Sequence, residues 1–215
     1  MYEKFGQFID GKWVKSSSGE TYEVINPANE EVLGNASKAS PKDVEAALKS
    51  AEKGLEVWKK TPPWQRAYIL RRIADKMREK QDVLAKWMTL EVGKPFNEAK
   101  GEVNGAADIY EWNAEETKRI YGQTVESRFE DTRVHVYYQP VGVVAALVPW
   151  NFPLVLSARK ISTALAAGCS VIVKPDVITP GVVMEQVEIC RECGVPPGVV
   201  NLLSGDPPSI AQQLI

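Results

Sequence analysis

The spacing of hydrophobic and polar positions changes several times along the chain, and each change marks an element. Short apolar runs flank Asp10-Gly11 in the segment Phe8–Val14. Asp-Gly supplies the positive φ of a tight turn, so a β-hairpin is expected there. A second extended stretch, Tyr22 to Leu33, is interrupted by Asn26-Pro27-Ala28-Asn29, a turn sequence. From Ser40 the period becomes helical, with Val44, Leu48, Ala51, Leu55 and Trp58 on one face. Ser40 can cap this helix, Pro41 fits its first position, and Asp43 suits its positive end. Lys60-Thr61-Pro62-Pro63 ends it. Further helices are expected over Trp64–Lys80, Asp82–Val92 and Glu98–Arg119, with Gly93-Lys94-Pro95 separating the last two.

The next segments read as strands, Gln123–Glu130 and Thr132–Gln139, closed by Pro140. Val141–Val148 is apolar without alternation, as expected of a strand buried on both faces. A helix over Leu154–Ala167, a strand over Cys169–Val173, a helix over Pro180–Cys193 and a strand over Val199–Leu203 follow, and Ile210–Ile215 begins a third helix. The βαβαβα order predicts an α/β fold with a parallel sheet and right-handed crossovers. Stopping after the third such strand would leave an unpaired apolar edge, so the chain is expected to aggregate or to depend on a partner.

Ligands of parallel α/β sheets bind beyond the C-terminal strand ends. This directs attention to Pro149-Trp150-Asn151-Phe152-Pro153, Lys174-Pro175-Asp176 and Ser204-Gly205-Asp206. Asn151, between two prolines, offers a neutral donor suited to a developing oxyanion. Lys174 places a cation where a hydroxyl-rich or phosphorylated ligand would lie, and Gly205 permits close backbone approach. Neither Gly-x-Gly-x-x-Gly nor a phosphate-loop motif occurs, so any dinucleotide is held in another way.

Composition narrows the field. A chain of 215 residues that is 44% hydrophobic and 25% charged can bury a core. A net charge of -2 gives no footprint for nucleic acid or an anionic membrane, and neither is an expected partner. The longest apolar run is shorter than the roughly 20 residues a membrane helix needs. The first residues do not resemble a signal peptide. Three cysteines without a secretory signal suggest a reducing compartment, and a cytoplasmic protein is expected. With His135 as the one histidine, no metal is expected.

Several of these residues recur together in one known order. Pro149-Trp150-Asn151-Phe152-Pro153 is followed by Ala164-Leu165-Ala166-Ala167-Gly168, Val173-Lys174-Pro175, Thr179-Pro180 and Pro197-Gly198-Val199-Val200-Asn201. Upstream lie Phe8–Trp13, Asn26-Pro27, Glu91-Val92-Gly93-Lys94-Pro95 and Pro140–Val143. From about residue 7 to the end, the chain resembles the N-terminal portion of the aldehyde dehydrogenase superfamily.

The resemblance implies NAD(P)-linked oxidation of an aldehyde to an acid, through a cysteine thiolate and a glutamate-activated water. Asn151 matches the oxyanion-hole asparagine. Val148, Pro149, Trp150, Lys174, Pro175 and Asp176 fall on the ribose side of the cofactor site, and Gly205 beside the adenine. Residues 1–122 and 140–215 would form an incomplete, Rossmann-like cofactor domain. Residues 123–139 resemble part of an oligomerisation arm, which implies a homodimer or homotetramer, and the catalytic domain is absent. Val177 stands where the family often has a ribose-gripping glutamate, and Pro207 stands where glycine is common. Asp176 would repel a 2′-phosphate, so NAD is favoured over NADP. Neither Cys169, Cys190 nor Cys193 matches the nucleophile, and Cys190-Arg191-Glu192-Cys193 reads as helix packing rather than a metal or redox site. Trp87, Tyr110 and Trp112 are open between core packing and lining of an aldehyde tunnel. Two functional readings follow: a segment of an aldehyde dehydrogenase that is inactive alone, or a naturally short nucleotide-binding or assembly module.

Overall fold

The computed structural model describes residues 2–215, so Met1, the first residue of the expected cofactor domain, lies outside it. Gln7–Ile9 (β1) and Lys12–Val14 (β2) form the expected hairpin, with φ of 52° at Asp10 and 76° at Gly11. Those positive angles are what a two-residue turn between twisted strands requires. Thr21–Ile25 (β3) and Val32–Ser37 (β4) form a second hairpin across the Asn-Pro turn. Four helices follow: Pro41–Trp58 (α1), Pro63–Glu79 (α2), Gln81–Val92 (α3) and Phe96–Thr117 (α4). Ser40 and Asp43 make a reciprocal capping box at the start of α1. Gly93, in the left-handed conformation, ends α3 and sets the corner from which α4 departs.

A two-stranded ribbon, Gln123–Glu126 (β5) with Arg133–Val136 (β6), projects with every residue exposed. These strands are shorter than the sequence suggested: pairing stops after four residues, the turn takes up the chain between them, and residues 137–139 lie beyond β6 without strand structure. The remaining elements are Val143–Leu147 (β7), Pro153–Ala166 (α5), Ser170–Lys174 (β8), Pro180–Glu192 (α6), Val200–Leu202 (β9) and Pro207–Leu214 (α7). Helix α7 begins three residues before the expected Ile210. Pro207 and Pro208 occupy its first turn, where no donor is lost, and Asp206 caps it.

Strands β7, β8 and β9 are parallel, as the βαβαβα order predicts, but the sheet is mixed: its order is β2-β1-β9-β8-β7. The N-terminal hairpin covers the far side of β9 through an antiparallel pairing of Phe8 with Leu202. The sheet is covered on both faces. Alternate residues of β8 point to opposite sides. Val171 and Val173 join the large core with Leu70, Ala107, Leu165 and Val183, whereas Ile172 meets Val44, Ala47 and Ala51 of α1 and Ile210 of α7. Strand β7 departs from the expectation of burial on both faces. It lies at the open edge of the sheet, so Ala146 is buried, Val143, Val144 and Leu147 are half-buried, and Ala145 is exposed.

Candidate active site

The three loops after β7, β8 and β9 lie along one edge, because Leu147 is in register with Lys174, and Val173 with Leu202. Beyond β7, the Val148 N–H still donates to the Lys174 carbonyl at 2.9 Å, so the ladder runs one residue past the strand. Val148 is buried, and the chain then emerges: Pro149, Trp150, Asn151 and Phe152 are all exposed. The Asn151 side-chain amide has no hydrogen-bond partner among the described residues.

Helix α5 starts at Pro153 and has no capping side chain of its own, since Phe152 cannot accept. Its first free N–H groups still need acceptors. Glu102, reaching across from α4, supplies them: its Oε1 accepts from Leu154 N–H at 3.0 Å and Val155 N–H at 3.2 Å. The other oxygen of Glu102 is ion-paired to Lys94, and both side chains are almost wholly buried. The Lys94 ammonium also lies 3.9 Å from the centre of the Phe152 ring and donates to the Asn151 carbonyl at 3.4 Å. Beside this clamp, α4 and α5 enclose a groove of about 460 Å³. Gly101 and Gly105 leave room on its α4 side, Phe152, Val155 and Leu156 make an apolar α5 wall, and Arg159 stands at the far end. The Arg159 guanidinium has no ion pair or hydrogen bond among the described residues.

After β8, Lys174 is only 3% exposed, so it is not the solvated strand-end charge such a position usually holds. Its ammonium has no hydrogen-bonding or ion-pairing side chain among the described residues. Burial lowers its pKa, and the Asp176 and Asp206 carboxylates oppose that shift. Pro175 is buried, and the Asp176 carboxylate accepts from Ile178 N–H at 3.1 Å. Helix α6 also starts with proline and lacks a cap of its own. Here Glu91, fully buried, accepts from Gly181 N–H at 2.7 Å and Val182 N–H at 3.2 Å, and the Tyr2 hydroxyl donates to the same carboxylate. Burial pushes the Glu91 pKa up to about 7 despite these donors.

After β9, Gly205 has a φ of 142°, and an added Cβ would stand 2.9 Å from the Ala39 nitrogen. Packing against the segment before α1 therefore requires glycine here, quite apart from ligand access. Tyr22, whose phenol is pushed up by burial, shares a 2.6 Å hydrogen bond with Ser204 beneath this loop.

The strand-end residues named from the sequence thus share one edge, while the open choices divide. Trp87 and Tyr110 are core residues, the Tyr110 hydroxyl accepting from Gln186 at 3.0 Å, and Trp112 is 70% exposed on α4 away from the groove. All three cysteines are buried, and burial pushes the Cys190 thiol up to about 12 and also raises Cys193. Glu91, Lys94, Glu102 and Arg159 were not singled out as site candidates from the sequence, although Glu91 and Lys94 fall in the Glu91–Pro95 motif. One signal was available at α5: it begins with proline after Phe152, which has no acceptor side chain, so its first free amides must find a distant one.

No helix among the described residues is long and apolar enough to cross a membrane. No group of three or more metal-binding side chains occurs among them.

The model of the aldehyde dehydrogenase family matches residues 13–215. The chain is 43% identical to a succinate-semialdehyde dehydrogenase [NADP(+)] of Escherichia coli over 96% of this chain and 43% of that protein. It is 42% identical to a glutarate-semialdehyde dehydrogenase of Pseudomonas aeruginosa over the same shares of each. A crystal structure of an E. coli NADP-dependent enzyme superposes with a TM-score of 0.96 at 42% identity, covering 100% of this chain and 45% of that one. The chain therefore spans less than half the length of these relatives and belongs to the aldehyde dehydrogenase family.

Proposed function

We propose that this chain supplies the oxyanion donor and the ribose-holding side of the cofactor site in a dehydrogenase that oxidises an anionic aldehyde to the corresponding acid. One observation carries the substrate class: an unpaired amide, Asn151, and an unpaired cation, Arg159, bracket an otherwise apolar wall of α5. Pro153 and Arg159 are separated by about 9 Å of helix axis, and helical side chains lean back toward the N-terminus. A short aldehyde with a carboxylate at its other end spans the gap, with its carbonyl toward Asn151. The names of the succinate- and glutarate-semialdehyde relatives describe such molecules.

The cofactor reading rests on Lys174, a buried-stem lysine without a protein partner, which fits the hydroxyls of a ribose. Asp176 and Asp206 beside it disfavour a further 2′-phosphate, so NAD is the assigned cofactor. When bound, the nicotinamide would take the hydride released as the aldehyde becomes an acid. The nucleophilic thiol and the water-activating glutamate are assigned to residues outside this chain, because its three cysteines are buried and two have raised pKa values. On this reading the 215 residues alone do not turn over. The exposed β5–β6 ribbon, with Val125, Val134, Tyr137 and Tyr138 at or beside it, is assigned to pairing in a homodimer or homotetramer. Buried free thiols suit a reducing cytoplasm.

The test uses the intact enzyme that contains this chain. Arg159→Leu is expected to lower kcat/KM for succinate semialdehyde by about 10–100-fold, the worth of a charged hydrogen-bonding pair, and to leave butanal unaffected. An equal effect on both aldehydes overturns the anionic-substrate reading. Assays with NAD and NADP side by side test the cofactor assignment.

A further inference from the structure

We propose that Glu102 and Lys94 are positioning residues for the Asn151 amide, acting through the N-terminus of α5. The inference deepens the dehydrogenase reading above and rests on it. A donor that stabilises developing charge works best when its position is fixed before the reaction and its own hydrogen is unclaimed. Asn151 meets the second condition, since its side-chain amide has no partner among the described residues. The first is met by the clamp beneath it. Pro153 brings no N–H to the first helical position, and Phe152 brings no acceptor, so the amides of Leu154 and Val155 would otherwise be orphaned. One oxygen of Glu102 takes both. The other holds Lys94, whose ammonium reaches on to the Asn151 carbonyl and the Phe152 ring. The backbone carbonyl of Asn151 and the ring that follows it are tied down, and the side-chain amide itself is left free.

Helix α6 provides an internal contrast. Its start is capped in the same manner by Glu91, but the third partner of that carboxylate is the Tyr2 hydroxyl rather than a cation. The segment before α6 carries the expected cofactor-side residues Lys174, Pro175 and Asp176 but no expected oxyanion donor. The lysine, and with it the reach to the loop, is found only where Asn151 needs holding. The clamp comes from the α3–α4 corner, some fifty positions upstream of Asn151 (|i−j| of 52 for Glu102 and Leu154, and 57 for Lys94 and Asn151). Helix capping alone would have been met by a serine or aspartate at position 152.

The experiment compares wild type, Glu102→Ala, Glu102→Gln and Lys94→Met in the intact enzyme, reading kcat and the cofactor KM separately. Amide exchange at Leu154 and Val155 is followed in the same intact enzyme. Glu102→Ala is expected to speed exchange at both amides and to lower kcat by about a hundredfold, the scale of an ångström of misplacement, with cofactor KM unchanged. Glu102→Gln, which keeps an acceptor oxygen, restores most of both. Lys94→Met leaves the cap in place and cuts only the tie to Asn151 and Phe152, so kcat falls about tenfold with exchange unaltered. Should Glu102→Ala not fold, Lys94→Met decides the question. A wild type that turns over while both variants keep its kcat overturns the positioning role alone, as does a loss of kcat matched by a proportional rise in cofactor KM. A wild type without aldehyde-dependent turnover overturns the dehydrogenase reading and the positioning role together.

Discussion

Glu91 couples the fold to pH. Its carboxylate lies fully buried at the start of α6, and its pKa rises from the ordinary 4.5 to about 7. Between those values the folded state holds a proton that the unfolded state has released. Stability therefore falls as pH rises from about 4.5 to about 7 and is flat above, by on the order of 2–3 kcal/mol from this group. Urea unfolding of the 215-residue chain at pH 5 and pH 8 checks this: wild type should lose stability over the interval, and Glu91→Gln should not carry that slope. A wild type as stable at pH 8 as at pH 5, with Glu91→Gln following it, contradicts the assignment. Sequence reasoning reached Asn151 and Lys174 because strand ends can be counted from apolar periods, and ligands gather there. It did not reach Glu102, because a glutamate at a helical position ordinarily reads as solvated, and its burial depends on where α5 docks. The burial of Lys174 was equally invisible, since it depends on β8 lying inside the sheet between β9 and β7.

At the scale of elements, the close approach of α1 to the loop before β9 governs how the N-terminal helix seats on the sheet. A Cβ added at Gly54 would lie 2.2 Å from the Gly198 carbonyl carbon, and one at Gly198 2.5 Å from the Ser50 carbonyl oxygen. Both obstacles are backbone, so neither can yield cheaply. Gly54→Ala is expected to destabilise the chain by about 1–3 kcal/mol in urea unfolding, although alanine is the better helix former by about 1 kcal/mol. A gain in stability would show that α1 does not sit where described. The order of helices and strands was legible in the sequence because long periodic segments and Gly/Pro punctuation agree. The pairing of β1 with β9 was not, since a hairpin's own turn fixes its internal register and says nothing of a third strand. The start of α7 was misplaced for a related reason: Pro207-Pro208 is a break inside a helix but an asset in its first turn.

For the whole molecule, β7 forms an open edge of the sheet and the β5–β6 ribbon is exposed along both strands. Asn151 lines the groove between α4 and α5 and also follows the end of β7, so on the proposed reading aldehyde and cofactor meet at that edge. On the proposed reading, the unpaired Asn151 amide lining this groove stabilises the oxyanion. The most direct test is the rate of aldehyde-dependent NAD(P)H formation by the intact enzyme carrying Asn151→Ala. A fall in kcat of roughly 10²–10³-fold with the cofactor KM unchanged is expected, the usual cost of removing an oxyanion donor. A variant that keeps the wild-type kcat would contradict it.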